Sequence, residues 1–109
     1  MSVWDDKLKV YDELIAKCER FERKGKSMIY TSANGHMFSI LNKAGEIGIR
    51  FSKVTQEEYK KKYSTTIFKS YNSVMKGYIL ISDKMLKNKK NVMKLLNESY
   101  DYVMTLDPK

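Results

Sequence analysis

The sequence predicts one α+β domain, an antiparallel sheet packed by helices in the order α-β-β-β-α-β-β-α. Two observations carry this. Apolar residues recur at helical spacing near both ends of the chain, and short β-type runs separated by turn residues fill most of the middle. No linker, low-complexity stretch or internal repeat divides the sequence, and 109 residues are enough for one hydrophobic core but too few for two. Residues 1–109 are therefore read as a single domain.

From Asp5 to about Lys24, the residues Leu8, Tyr11, Leu14, Ile15, Cys18 and Phe21 fall three or four apart and define one face of an amphipathic helix. Ser2 or Asp5 can cap its start, and Gly25 after Arg23 and Lys24 is its expected stop, because glycine accepts a left-handed conformation there. Three strands follow, Ser27 to Thr31, Met37 to Leu41 and Ile47 to Phe51. Asn34-Gly35 suits a tight hairpin and Lys43-Ala44-Gly45-Glu46 a second turn, so the three form an antiparallel meander. Residues Thr55 to Tyr63 read as a short helix with Thr55 and Glu58 spaced as a capping box. Thr65 to Tyr71 and Val74 to Ser82 are rich in β-branched and aromatic residues and form a second hairpin joined by Asn72-Ser73.

The remainder reads helical to about Leu106, with Met85, Val92, Leu96, Tyr100 and Val103 on one face and Lys87, Lys90, Lys94 and Asp101 roughly opposite. Lys89 would fall in the apolar arc, which predicts a short turn over Asp83 to Lys87 and a fresh start near Asn88. Pro108 would stop any continuation.

The composition is that of a globular chain, with 42% hydrophobic residues and one Pro. A single cysteine, Cys18, cannot build a disulfide framework or a zinc set, which suits a reducing cytoplasm. Neither a signal-type apolar segment nor a run long enough to span a membrane is present, so no membrane partner is expected. The net charge of +8 is spread over both halves, ten basic and seven acidic residues in 1–54 against eleven and six in 55–109. That spread argues against a dedicated basic arm.

Chemistry-bearing residues are sparse. His36, the only histidine, adjoins a hairpin glycine and would need acidic or thiol partners to act as base or ligand. Read alone it is a turn or strand residue. Cys18 lies on the apolar stripe of the first helix, where a thiol acts as a small hydrophobe. Asp5, Asp6, Asp12 and Glu13 read as a solvated face, since neighbouring residues on a helix point apart. No phosphate loop, HExxH, CxxC, GxSxG or calcium-loop pattern occurs, so neither an enzyme nor a cofactor or metal is expected. For nucleic acid, Lys60, Lys61 and Lys62 beside Tyr59 and Tyr63, with Lys84, Lys87, Lys90 and Lys94, supply cations for phosphates and rings for stacking. The plainer reading of this face is solvated lysine, because no helix-turn-helix, RNP or arginine-rich pattern accompanies it, and the arginines are only Arg20, Arg23 and Arg50. Met28, Tyr30, Phe38, Met75 and Tyr78 lie on strands, so alternation sends some of them to the face away from the helices; sequence leaves open which.

Gly35-His36-Met37-Phe38, Gly45, Ile49-Arg50, Lys62-Tyr63, Phe68, Val74-Met75-Lys76, Tyr78 and the Ser99 to Val103 segment together resemble the N-terminal domain of the TfoX/Sxy family, especially its short stand-alone members. The resemblance covers most of the chain from Lys24 onward. It implies a secretion-chaperone-like α+β fold and a regulatory role, since two-domain members regulate natural competence with the cyclic-AMP receptor protein. Those members carry a further helical domain for which this sequence has no room, and the family's glycine pair is replaced by Ser32, Ala33 and Asn34 before Gly35. The expectation is a non-enzymatic binding module acting by protein contact, with homodimerisation across the sheet or the last helix as one form of it. Weak nucleic-acid binding through the lysine face is the alternative, and an enzyme using His36 is a third reading.

Overall fold

The computed structural model describes residues 3–26, 28–70 and 73–109. Helix α1 (Val3–Lys17) has Asp5 and Asp6 in its opening turn, where the helix dipole favours acids, and buries Tyr11, Leu14 and Ile15. It ends seven residues before the expected Lys24. The Cys18 N–H closes a tight turn onto the Ile15 carbonyl at 3.0 Å, and the chain then runs irregularly to Lys24, whose backbone exchanges hydrogen bonds of 2.7 and 3.0 Å with Tyr30. Cys18 and Phe21 are still buried, so the apolar spacing was sound while the conformation carrying it was not. Gly25 is therefore no helix stop. It turns the loop at φ +89°, where a Cβ would stand 1.7 Å from the Met28 carbonyl oxygen.

Strands β1 (Ile29–Ala33), β2 (His36–Leu41), β3 (Ile47–Arg50), β4 (Ile67–Ser70) and β5 (Ser73–Ile81) form one antiparallel sheet in the order β1-β2-β3-β5-β4. Asn34 and Gly35 take φ 56° and 79°, as a tight hairpin between β1 and β2 requires. Ser27, the expected start of the first strand, and Tyr71 and Asn72 in the second hairpin lie outside the described residues; Ser73, expected in that turn, already belongs to β5 and pairs with Ser70.

Helix α2 (Lys53–Lys62) begins three residues earlier than the capping box suggested, because Ser52 is the cap: its hydroxyl accepts the Thr55 N–H at 3.3 Å. Ser52 follows the buried Phe51, so the end of the sheet fixes where the helix can start. The break expected after β5 is present as a separate short helix, α3 (Asp83–Leu86), capped by Ser82, and Asn88 caps the long helix α4 (Lys89–Met104).

The main core lies between the sheet and the helices, with Leu41, Ile47, Ile49, Ile79 and Ile81 against Leu14, Ile15, Val92, Leu96 and Val103. A β-bulge in the β1–β2 pair sends Phe38 inward beside Ser39, where its ring meets Phe21 edge-on at 5.0 Å. Two polar devices complete this layer. The Tyr11 hydroxyl bonds Ser39 at 2.7 Å and Ser39 in turn bonds Thr31, a buried chain of hydroxyls. Ser99 of α4 shares its hydroxyl proton between the carbonyls of Phe38, at 3.3 Å, and Arg50.

The β1–β2 turn also closes α4. The Asn34 amide donates to the carbonyls of Val103 (3.1 Å) and Leu106 (2.8 Å), and the Lys109 N–H returns to the Asn34 carbonyl at 3.3 Å. The Val103 carbonyl is in the last turn of α4, where a helix leaves carbonyls without intrahelical partners, and Leu106 lies just beyond it. Asn34→Ala removes both bonds and strains a positive φ, and a loss of ~1–2 kcal/mol is expected in urea unfolding. Asn34→Gly, which relieves the strain but not the bonds, recovers only part of it.

Burial suppresses the ionisation of Tyr11 and Tyr78. Tyr11 is shifted upward mainly by desolvation, and Tyr78 is pushed up to about 12 by the same cause against an opposing pull from Arg50. The folded state thus favours the neutral phenol. As pH rises past about 10 the unfolded chain ionises first, so the tyrosine contribution, complete below that pH, is lost upward through the folded values. The urea midpoint is expected to fall between about pH 10 and 12, and to fall less steeply in Tyr78→Phe.

Candidate functional site

The second apolar cluster is built wholly from strand residues on the face of the sheet opposite the helices. Ile40, Phe68 and Tyr78 are buried in it, and Tyr30, Met37, Met75 and Leu80 are partly buried around them. The bulge and the alternation of the strands settle what sequence left open: Tyr30, Met75 and Tyr78 belong to this outer face, while Phe38 faces the helices. Phe68 lies across the sheet over Gly48, where a Cβ would stand 2.5 Å from its Cγ. The Tyr78 hydroxyl donates to the Met37 carbonyl at 2.7 Å, tying β5 to β2 across β3. What the face presents to solvent is therefore the thioethers of Met37 and Met75, Leu80 and one ring, Tyr30.

Charge on the strands is one-sided. They carry Arg50, Lys69 and Lys76 and not one Asp or Glu. The two edges differ. Lys24 occupies the Tyr30 backbone on the outer edge of β1 and its ammonium bonds the Ser32 hydroxyl at 3.1 Å, so β1 is closed to a further strand there. The opposite edge, β4, is four residues long and carries Lys69.

The lysines named from sequence take different positions. Lys60 pairs with Glu57 at 2.9 Å. Lys61 lines a depression with Lys53, Val54, Glu57 and Glu58. The Lys62 ammonium stands 5.9 Å from the Tyr59 ring and 5.4 Å from the Tyr63 ring. Those rings are not free platforms for bases. Tyr59 packs edge-on against Phe51 at 5.2 Å and donates its hydroxyl to Glu98 at 2.6 Å, burial and then this hydrogen bond raising its pKa, and the Tyr63 oxygen accepts from Asn91 at 3.0 Å. Lys87 caps the C-terminus of α3, and Lys90 and Lys94 are exposed on α4. Lys62 and Lys84 meet at a cleft of about 200 Å³ between the end of α2 and the start of α4. Sequence reasoning grouped them with five other lysines as one face and did not single out this pair, because the approach of α2 to α4 is made by tertiary contacts alone.

His36 and Cys18 both have structural partners. The His36 Nε2–H donates to the Asp107 carbonyl at 2.7 Å, and its buried Nδ1 has no partner among the described residues. Cys18 is buried, with the Asn97 amide 3.8 Å from its sulfur, and desolvation pushes the thiol up, away from the reactive thiolate. Of the acids expected on a solvated face, Asp12 pairs with Arg23 at 3.1 Å and Glu13 with Lys89 at 3.4 Å. Such exposed pairs contribute little to stability. Among the described residues no three His, Cys, Asp or Glu side chains gather as metal ligands, and no helix is long and apolar enough to cross a membrane.

No protein-family model matches this chain, and no curated protein matches it.

Proposed function

We propose that this domain is a non-enzymatic binding module that takes an amphipathic, acidic helix of a partner protein on the outer face of its sheet. The observation that carries this reading is the apolar patch on that face of a sheet whose strands bear basic residues, Arg50, Lys69 and Lys76, and no acidic one. Flexible thioethers and one leucine fit aliphatic side chains of varied shape, and the cations fit acidic residues flanking them. A helix lying on the sheet suits the surface better than an added strand, since the outer edge of β1 is occupied and β4 is short. It also suits the surface better than a nucleic-acid strand, since Phe68 and Tyr78 are buried and only Tyr30 offers part of a ring.

A regulatory role of the TfoX N-terminal kind fits such a module, as does a reducing cytoplasm for the buried, unpaired Cys18. The residues behind the resemblance include Phe68, Met75 and Tyr78 of this face and the Gly35-His36 turn that closes α4. Selection from a random peptide library on the full chain tests the proposal. The expected products are amphipathic helices with Glu or Asp beside the apolar stripe, and Met75→Glu with Lys76→Glu abolishes their binding. Selected peptides that are basic, or that keep their affinity for the double variant, contradict it.

A further inference from the structure

We infer that the cleft between the end of α2 and the start of α4 binds a compact phosphate-bearing anion, a phosphate monoester or diphosphate. Its polar wall is made of Lys62, Tyr63, Ser64, Lys84, Asn88 and Asn91, with no carboxylate among the lining residues. Lys62 and Lys84 have no acidic partner among the described residues, whereas Lys7, Lys60 and Lys89 are each paired with an acid. The Tyr59 and Tyr63 rings hold the Lys62 ammonium without neutralising it.

The hydrogen bonds within the wall turn donors toward the opening. Asn91 donates to the Tyr63 oxygen, which leaves the phenolic proton for a ligand. Asn88 accepts the Asn91 N–H through its Oδ1 at 3.2 Å, which leaves its own NH2 group to donate. Two ammonium groups, a phenol, two amides and the Ser64 hydroxyl thus surround a small volume, and a phosphate group, an acceptor on every side, complements that set. The first turn of α4 adds to the same field: it contains Lys89 and Lys90 and no acid, where the helix dipole is already positive, so an anion in the cleft offsets a repulsion built into the sequence. A cleft of about 200 Å³ suits a compact anion and not a running nucleic-acid strand.

Titration of the full chain with pyrophosphate at low salt, followed by amide chemical shifts, tests the site. Saturable shifts are expected at Ser64, Lys84, Asn88 and Asn91. Lys62→Gln combined with Lys84→Gln weakens binding by at least about tenfold, while Lys87→Gln with Lys94→Gln changes it by less than about twofold. Tyr63→Phe, which keeps the ring and removes one donor, gives an independent reading and weakens binding about threefold. Shifts that spread over Lys60, Lys61, Lys87, Lys90 and Lys94 without saturating show counterion adsorption and overturn the site. A mixed-sequence single-stranded oligonucleotide that binds there and is not displaced by pyrophosphate overturns it as well, in favour of nucleic acid. Peptide binding at the outer sheet face is untouched by either result, so the two proposals fail separately.

Discussion

Gly48→Ala is expected to destabilise the domain by ~2–3 kcal/mol, an unusually large cost for adding one methyl group. Gly48 sits in β3 in register with Ile40 of β2 and Leu80 of β5, directly beneath the Phe68 ring. A Cβ there would lie 2.5 Å from Cγ and 2.7 Å from both Cδ atoms, and Phe68 is 0% exposed, so the ring has no open space to move into. Either the ring leaves its rotamer or β4 lifts from the sheet. Phe68→Leu removes part of the obstacle, so the double variant is expected to be more stable than the two single losses predict, by ~1–2 kcal/mol in a double-mutant cycle. Strict additivity in urea unfolding would mean that the close approach of Phe68 to Gly48 does not shape the outer face.

Ser99→Ala is expected to cost ~2 kcal/mol, against less than ~0.5 kcal/mol for Thr105→Ala on the exposed end of the same helix. The difference lies in what each hydroxyl satisfies. Thr105 bonds the Tyr102 carbonyl in its own last turn, in reach of water. Ser99 is fully buried and serves two carbonyls of the sheet, one of them Phe38, which the bulge opposite Thr31 takes out of register with β1. Without the hydroxyl both carbonyls lose this donor in a site closed to solvent. Urea unfolding of the two variants side by side checks this, and equal losses would contradict the role assigned to Ser99.

Much of the fold was legible because its signals are local. The β-type run at Ile47 to Phe51, observed as a strand over Ile47–Arg50, the Asn34-Gly35 turn and the restart at Asn88 each depend on a few neighbouring residues, and each stands close to where it was expected. The end of the first helix was not legible, because Cys18 and Phe21 keep helical spacing while being buried from an irregular segment; burial, not conformation, is what that spacing reports. The start of α2 was misplaced by one turn, since the Thr55–Glu58 spacing pointed to Thr55 as the cap, whereas the cap is Ser52, which follows the buried Phe51 at the end of the sheet.

The candidate surfaces were less legible than the fold. The facing of the strand aromatics depends on the Phe38 bulge, which shifts the phase of β2 midway and has no sequence signature. Lys62 and Lys84, separated by more than twenty residues, come to one cleft because Tyr59 and Tyr63 dock α2 on Glu98 and Asn91 of α4. Asn34 looked like a turn residue only, and its second role, closing α4 through Val103 and Leu106, exists only in the folded chain.

The most direct test of the binding-face account uses the methionines as reporters. With methyl-labelled methionine, an amphipathic helical peptide bearing one leucine face and one glutamate face is added to the full chain, and a leucine-lysine peptide serves as control. The account predicts that the Met37 and Met75 methyls shift with the acidic peptide alone, while Met85 and Met93 near the main core and Met104 on α4 stay in place. Shifts at Met104 with Met37 and Met75 unmoved, or equal shifts with both peptides, would contradict it.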